Sequence, residues 1–232
     1  MASAPASAPA RTRPPLRGSA AYLLLNFPLG IFWFVALVTL IAVGVSTAII
    51  WIGVPIAAFA VLLWRGGAQM ERARVATFLG TVVPMPYRPL PEGGQKARWT
   101  TRLRDAATWR DLVYLVLLFP LGIIEFVLLI TSWSVSLALL TLPIYYRYLP
   151  EGAYYFPAWD VRWITVDSTV AALPWAALGV LFVAVTVVLT RALAGMHAGL
   201  ARTLLGPTVG RAQEIETDDL SATRSTSAVA GW

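Results

Sequence analysis

Tyr22-Leu-Leu-Leu-Asn-Phe-Pro-Leu-Gly-Ile31 returns as Tyr114-Leu-Val-Leu-Leu-Phe-Pro-Leu-Gly-Ile123. The offset is 92 residues, and 12 of the 18 positions are identical between 22–39 and 114–131. Both copies are strongly apolar, which points to a membrane domain built by duplication. A weaker match closes each copy. Arg65, Ala68, Met70, Thr77, Leu79 and Gly80 recur as Arg191, Ala194, Met196, Thr203, Leu205 and Gly206, all 126 residues on. The copies begin 92 apart and end 126 apart, so the second holds 126 − 92 = 34 extra residues in its middle.

Composition agrees. Hydrophobic residues make up 58% of the chain and charged residues 13%, against about 25% charged in soluble domains. Tyr22 to Trp64 is 43 residues without a charge. As one helix it would run about 64 Å, whereas about 20 residues cross a bilayer. Unpaired backbone groups are costly in lipid, so the spans are helices. The expected fold is an all-α membrane protein of four transmembrane helices, arranged as two duplicated helical hairpins. The spans fall at about 22–43, 46–64, 112–136 and 169–190, with both copies running in the same direction. An extracytoplasmic insertion, 137–168, sits in the second hairpin. A short fifth membrane segment at 137–148 is the alternative.

The expected organisation is a disordered basic arm (1–20), a membrane domain (21–206) and a disordered cytoplasmic tail (207–232). Within the domain, repeat 1 covers about 22–83, a cytoplasmic linker 84–111, and repeat 2 about 112–206. The net charge of +6 is explained by orientation, because Lys and Arg gather in cytoplasmic loops. The arm carries Arg11, Arg13 and Arg17, the 65–111 loop nine basic residues against four acids, and the insertion two against three. This puts both termini in the cytoplasm of a multi-pass plasma-membrane protein, and the insertion outside. Nucleic acid is not an expected partner. No cysteine is present and the one histidine, His197, cannot make a cluster, so no cofactor or metal is expected. His197 reads as an interfacial helix residue.

Four features are candidate sites. Glu125 lies deep in the third span, where copy one has Trp33. A central carboxylate costs about 2.5–3.5 kcal/mol on insertion scales, so such groups are usually paired or functional. It is either a proton- or cation-responsive group or a packing residue bonded to Thr39 or Thr131. The insertion places Tyr145, Tyr146, Tyr154, Tyr155, Trp159 and Trp163 beside Asp160 and other charges, as an external ligand site or as an interfacial aromatic belt. Pro28 with Gly30, and Pro120 with Gly122, predict matched helix kinks. The stretch 97–111 is an interfacial helix, with Trp99 and Trp109 toward lipid and Arg98, Arg102 and Arg104 meeting anionic headgroups, or simply an orientation signal. Gly195 and Gly199 form a weak GxxxG pattern for a homodimer.

Asn26-Phe-Pro-Leu-Gly30, Trp51-Ile-Gly-Val-Pro55, Arg65-Gly-Gly-Ala-Gln-Met-Glu-Arg72, Asp105-Ala-Ala-Thr-Trp-Arg-Asp111 and Phe119-Pro-Leu-Gly122 together resemble the putative sensor domain family of actinobacterial membrane proteins, over about 20–206. In that family the domain often precedes a cytoplasmic histidine kinase. The resemblance implies a non-enzymatic input module for two-component signalling, partnered by the lipid bilayer and by a cytoplasmic kinase or other signalling protein. After Gly206 the 26 residues given cannot form a phosphoacceptor helix pair or an ATP-binding domain, so kinase activity is not carried over. The rival readings are a small transporter or transport accessory, and a structural membrane scaffold.

Overall fold

The computed structural model describes residues 15–157, 160 and 162–229. Its helices are α1 (Leu16–Ser46), α2 (Gly53–Leu79), α3 (Gln95–Arg104), α4 (Ala106–Tyr145), α5 (Thr169–Leu205) and α6 (Val209–Val229). Strands β1 (Tyr154–Pro157) and β2 (Arg162–Val166) pair antiparallel. Three segments are long and apolar enough to cross a membrane: Leu16–Ser46, Ala106–Tyr148 and Thr169–Leu205. Helix α2 is not among them. Its uncharged run from Gly53 to Trp64 is 12 residues, short of the roughly 20 a crossing needs, and Arg65, Glu71, Arg72 and Arg74 follow.

Local chemistry fixes the element ends. Asp105 caps α4 by accepting the Ala107 N–H at 3.1 Å, and Ser168 caps α5 by accepting the Ala171 N–H at 3.3 Å. Each satisfies one of the donors a helix start leaves free. Gly80 stops α2 at φ +63°, a conformation that costs glycine little. The helices α1 and α4 continue through Pro28 and Pro120.

The duplication is visible in the burial. Every buried residue of α1 (Ser19, Tyr22, Leu23, Asn26, Gly30, Trp33, Leu37 and Gly44) has a buried counterpart 92 positions later on α4. On α2, Gly53, Ala60, Trp64, Ala68, Glu71, Arg72, Val75 and Leu79 have buried counterparts 126 positions later on α5. The insertion is located the same way. A Cβ on Gly53 would lie 2.4 Å from the Ala48 nitrogen, and one on Gly179 would lie 2.4 Å from the Leu140 nitrogen. The chain covers 53 − 48 = 5 residues between these contacts in copy one and 179 − 140 = 39 in copy two, a difference of 34.

The copies do not run in the same direction, which corrects the expectation. Asn26 of α1 meets Gly122 and Glu125 of α4, Gly30 meets Leu118 and Phe119, Phe27 stacks on Phe126, and Phe34 stacks on Phe119. As α1 advances, its partners on α4 recede, so the two helices are antiparallel. Glycine permits the close crossing: a Cβ on Gly30 would sit 2.7 Å from the Leu118 carbonyl oxygen, and one on Gly122 2.6 Å from the Asn26 carbonyl oxygen. The start of α4 therefore lies near the turn of the first hairpin. Trp109 packs on Trp64 at 5.9 Å, and Trp99 and Leu103 of α3 share an apolar cavity of about 440 Å³ with Gly44, Ala48 and Ala57. Residues 81–94 carry no helix or strand and run along the bundle to that end, burying Val83.

Three further expectations change. The arm and the central loop were placed on one side, yet the start of α1 lies at the end opposite α3. The insertion is not wholly irregular or helical: α4 takes its first residues up to Tyr145, and β1 and β2 form a hairpin, so the fold is not purely α. The tail expected to be disordered holds α6, mostly exposed where described. The arm's residues 1–14 lie outside the described residues.

Candidate functional site: a buried polar centre shared by four helices

Glu125 is buried at 6% exposure, and its partners are neither Thr39 nor Thr131. One carboxylate oxygen faces His197 Nδ1 at 2.7 Å and the other accepts from Asn26 Nδ2 at 2.7 Å. His197, 2% exposed, turns Nε2 to the Tyr114 hydroxyl at 3.0 Å, and Tyr114 meets the Tyr22 hydroxyl at 3.2 Å. The tyrosines are the same residue of the two copies, 92 apart. Helix α2 joins through Arg74, which donates to Asn26 Oδ1 at 3.1 Å and pairs with buried Glu71. Asn26 thus bridges an arginine on one side to a carboxylate on the other.

The chemistry follows from the donor inventory. With Nδ1–H donating to Glu125, His197 Nε2 accepts from Tyr114, whose oxygen accepts from Tyr22. Protonating Nε2 forces Tyr114 to reverse and act as acceptor. The centre holds two carboxylates, one arginine and one imidazole. Arg74 matches one of the two carboxylates, and buried charge is costly unless matched. One carboxylate oxygen of Glu71 and the Trp33 Nε1 are buried without a hydrogen-bond partner among the described residues.

A second cluster ties α2, α4 and α5 together nearer the start of α4. Arg72 pairs with Asp111 at 2.7 Å and donates to the Leu205 carbonyl, while Tyr87 donates to Asp111 at 2.6 Å. The Arg65 guanidinium lies over the Tyr87 ring at 3.8 Å. Burial, then the bond to Asp111, pushes the Tyr87 phenol up to about 12, so it stays a donor at physiological pH. Arg72 closes the end of α5 through a helix carbonyl that would otherwise lack a partner.

The aromatic insertion residues divide. Tyr145, Tyr146 and Tyr154 pack around Leu142, Val166 and Ala172, with Phe156 stacked on Trp175 at 4.1 Å. Tyr155 donates to Glu151 at 2.6 Å under the Arg162 guanidinium, and that bond holds the Glu151 carboxyl below its usual range. Asp160 and Trp163 are exposed, and Trp159 lies outside the described residues. Twenty helical residues separate Glu125 from Tyr145, about 30 Å, so these two groups of candidates do not form one site. Pro28, Gly30, Pro120 and Gly122 flank the α1–α4 crossing.

Sequence reasoning found Glu125 and missed His197, Asn26, Glu71, Arg74, Tyr22 and Tyr114. The signal was in the repeat. The 126 offset aligns Glu71 with His197, and the 92 offset aligns Tyr22 with Tyr114 and Trp33 with Glu125. Polar residues at core positions of both copies converge where the copies cross. No group of three or more His, Cys, Asp or Glu able to hold a metal occurs among the described residues.

No curated protein and no solved structure matches the chain. The family model described as "Putative sensor" matches residues 22–205. With both ends of the polar centre inside that match, the chain belongs to the Putative sensor family.

Proposed function

We propose that the protein is a non-enzymatic membrane sensor module that passes an external or intramembrane stimulus to a cytoplasmic partner, in the manner of two-component signalling. The observation that carries this reading is the Glu125–His197 pair with its Asn26–Arg74 extension. It makes α1, α2, α4 and α5 share one hydrogen-bond network at their crossing. Movement of any one helix breaks a buried contact, so the packing has few intermediate arrangements and suits a switch. The partner is a histidine kinase or other signalling protein reached through α5 and α6, or a second copy of this chain.

In this reading α1, α4 and α5 cross the plasma membrane. The basic α3 and the end of α5 face the cytoplasm, and the β-hairpin faces outward. The four-span version, two duplicated hairpins with the first turn outside, requires a bilayer between that turn and α3. Their shared cavity opposes it. Reporter fusions after residues 51, 155 and 206 test the placement, with inside, outside and inside as the expected readings. An outside signal at 206 would sink both the orientation and the direction of signalling. For the switch, spin labels at exposed Phe32 and Val180 report the α1–α5 distance. Glu125→Gln is expected to shift or broaden that distance, and unchanged distances in both Glu125→Gln and His197→Gln would remove the network's switching role.

The antiparallel crossing of α1 and α4 also favours a second reading, a small transporter or transport accessory, because oppositely directed repeats recur in transporters. A flux altered by Glu125→Gln in proteoliposomes would support it.

A further inference from the structure

We propose that the junction of α3, α4 and the start of α6 is a binding site for a phosphate group, most simply that of an anionic phospholipid headgroup. Two adjoining cavities meet there. The larger, about 690 Å³, is lined by Arg88, Lys96 and Arg104 with Thr100 and Thr101. The smaller, about 160 Å³, is lined by Arg88 and Arg104 again, with Arg110 and Arg211. Asp105 is the one carboxylate in both walls, giving five cations to one anion. That carboxylate is engaged elsewhere: it caps α4 at Ala107 and accepts the Arg88 backbone N–H.

The arginines divide by how they are held. Arg110 donates to the Thr203 carbonyl, and Arg211 pairs with Glu214 while its Nε is buried without a partner. The side chains of Arg88, Lys96 and Arg104 make no hydrogen bond or ion pair among the described residues. Like charges gathered this closely repel one another, so an anion between them relieves a cost the fold otherwise bears. Planar guanidinium groups give a phosphate paired N–H donors, which suits them to phosphate more than to a simple halide.

Two observations favour a lipid as the carrier. Leu103 and Trp109, the chain neighbours of Arg104 and Arg110, are 44% and 49% exposed, so exposed apolar side chains flank two of the charged ones. The same α3 lies against the turn that exposes Ile49 and Trp51 at 88% and 80%, a surface suited to acyl chains. This inference does not depend on the sensory reading. Its consequence for this chain is local: a headgroup held by Arg104 and Arg211 would tie the start of α6 to α3 and α4.

The test uses the full chain in a neutral detergent, titrated at constant ionic strength with short-chain phosphatidylglycerol, short-chain phosphatidylcholine or inorganic phosphate, and read by tryptophan fluorescence. Phosphatidylglycerol is expected to bind and phosphatidylcholine to bind far more weakly. Arg88→Gln with Arg104→Gln is expected to weaken phosphatidylglycerol binding about tenfold or more, with the unliganded melting temperature unchanged or raised, because neither side chain has a partner to lose and the repulsion between them is relieved. Should that pair of changes impair folding, Lys96→Gln alone gives the same direction at smaller size. Inorganic phosphate that binds as tightly and competes would uphold the phosphate site and assign it to a soluble ligand. Absence of binding by both phosphates, or native affinity in the double variant, overturns the proposal.

Discussion

At the scale of the residue, the clearest lesson is what Glu125 is paired with. A carboxylate in an apolar helix announces itself in sequence, because no packing requirement calls for it. Its partner did not, because His197 lies beside Arg191 and Arg202 and reads as interfacial. Glu125→Gln keeps the shape but offers one acceptor oxygen where there were two, so His197 Nδ1 or Asn26 Nδ2 loses its acceptor; a loss of about 1–3 kcal/mol is expected, read as a lower melting temperature in nanodiscs. A double change with His197→Gln should cost less than the sum of the two single changes, since the two side chains share one contact. The glycines give a sharper contrast. A Cβ on Gly30 would strike the Leu118 carbonyl, while one on Gly66 meets nothing within 4 Å. Gly30→Val should prevent the α1–α4 crossing and abolish recovery of folded protein. Gly66→Ala should be neutral or stabilising by up to about 1 kcal/mol.

At the scale of the element, the repeat offsets located the insertion well, since the size of 34 reappears between the Gly53 and Gly179 contacts. They did not give its form. Alternation of Tyr154-Tyr-Phe and Arg162-Trp-Ile-Thr-Val is the strand signal, but five residues between helices carry little periodicity to read. Splicing residues 49–52 between Leu140 and Gly179 should remove the insertion and leave the Glu125 centre intact, so near-native melting with lost outer reactivity is expected. The outer hairpin also has a defined acid response. The Glu151 carboxyl lies below its ordinary 4.5, so its contacts with Tyr155 and Arg162 are present above that value. They are lost as pH falls through the lowered one. Proteolysis of the hairpin should therefore accelerate only below pH 4.5, and Glu151→Gln should abolish that dependence. Helix α2, expected as the second span, is not among the helices long and apolar enough to cross, because its uncharged start is only 12 residues. Its later polar positions are buried by protein rather than lipid, and a linear hydropathy reading does not separate these two surroundings.

At the scale of the whole molecule, direction was the quantity the sequence withheld. Two copies of similar text carry no statement of whether they point together or apart, and charge counting decides it only if every loop is short and exposed. Here residues 81–94 run the length of the first hairpin, so the start of α1 and α3 end up apart. Arg72 and Asp111 secure this arrangement, and Arg72→Met alone should destabilise by about 3–5 kcal/mol by stranding a buried charge. Restoring an apolar match with Asp111→Leu should recover much of it, as read from melting of the double variant.

The tight contact of Gly179 on the Leu140 backbone has a mechanical side. Beyond it, α4 and α5 project as a free pair toward the β-hairpin, from Leu140 to Tyr145 and back from Thr169. On the inner side, α5 runs on through His197 to Leu205. The glycine is then a fulcrum, with a short outer arm and an inner arm of 26 residues, about 39 Å. A tilt of a few degrees applied at Thr169, about 15 Å out, would emerge at Leu205 as a displacement about two to three times larger than the one applied.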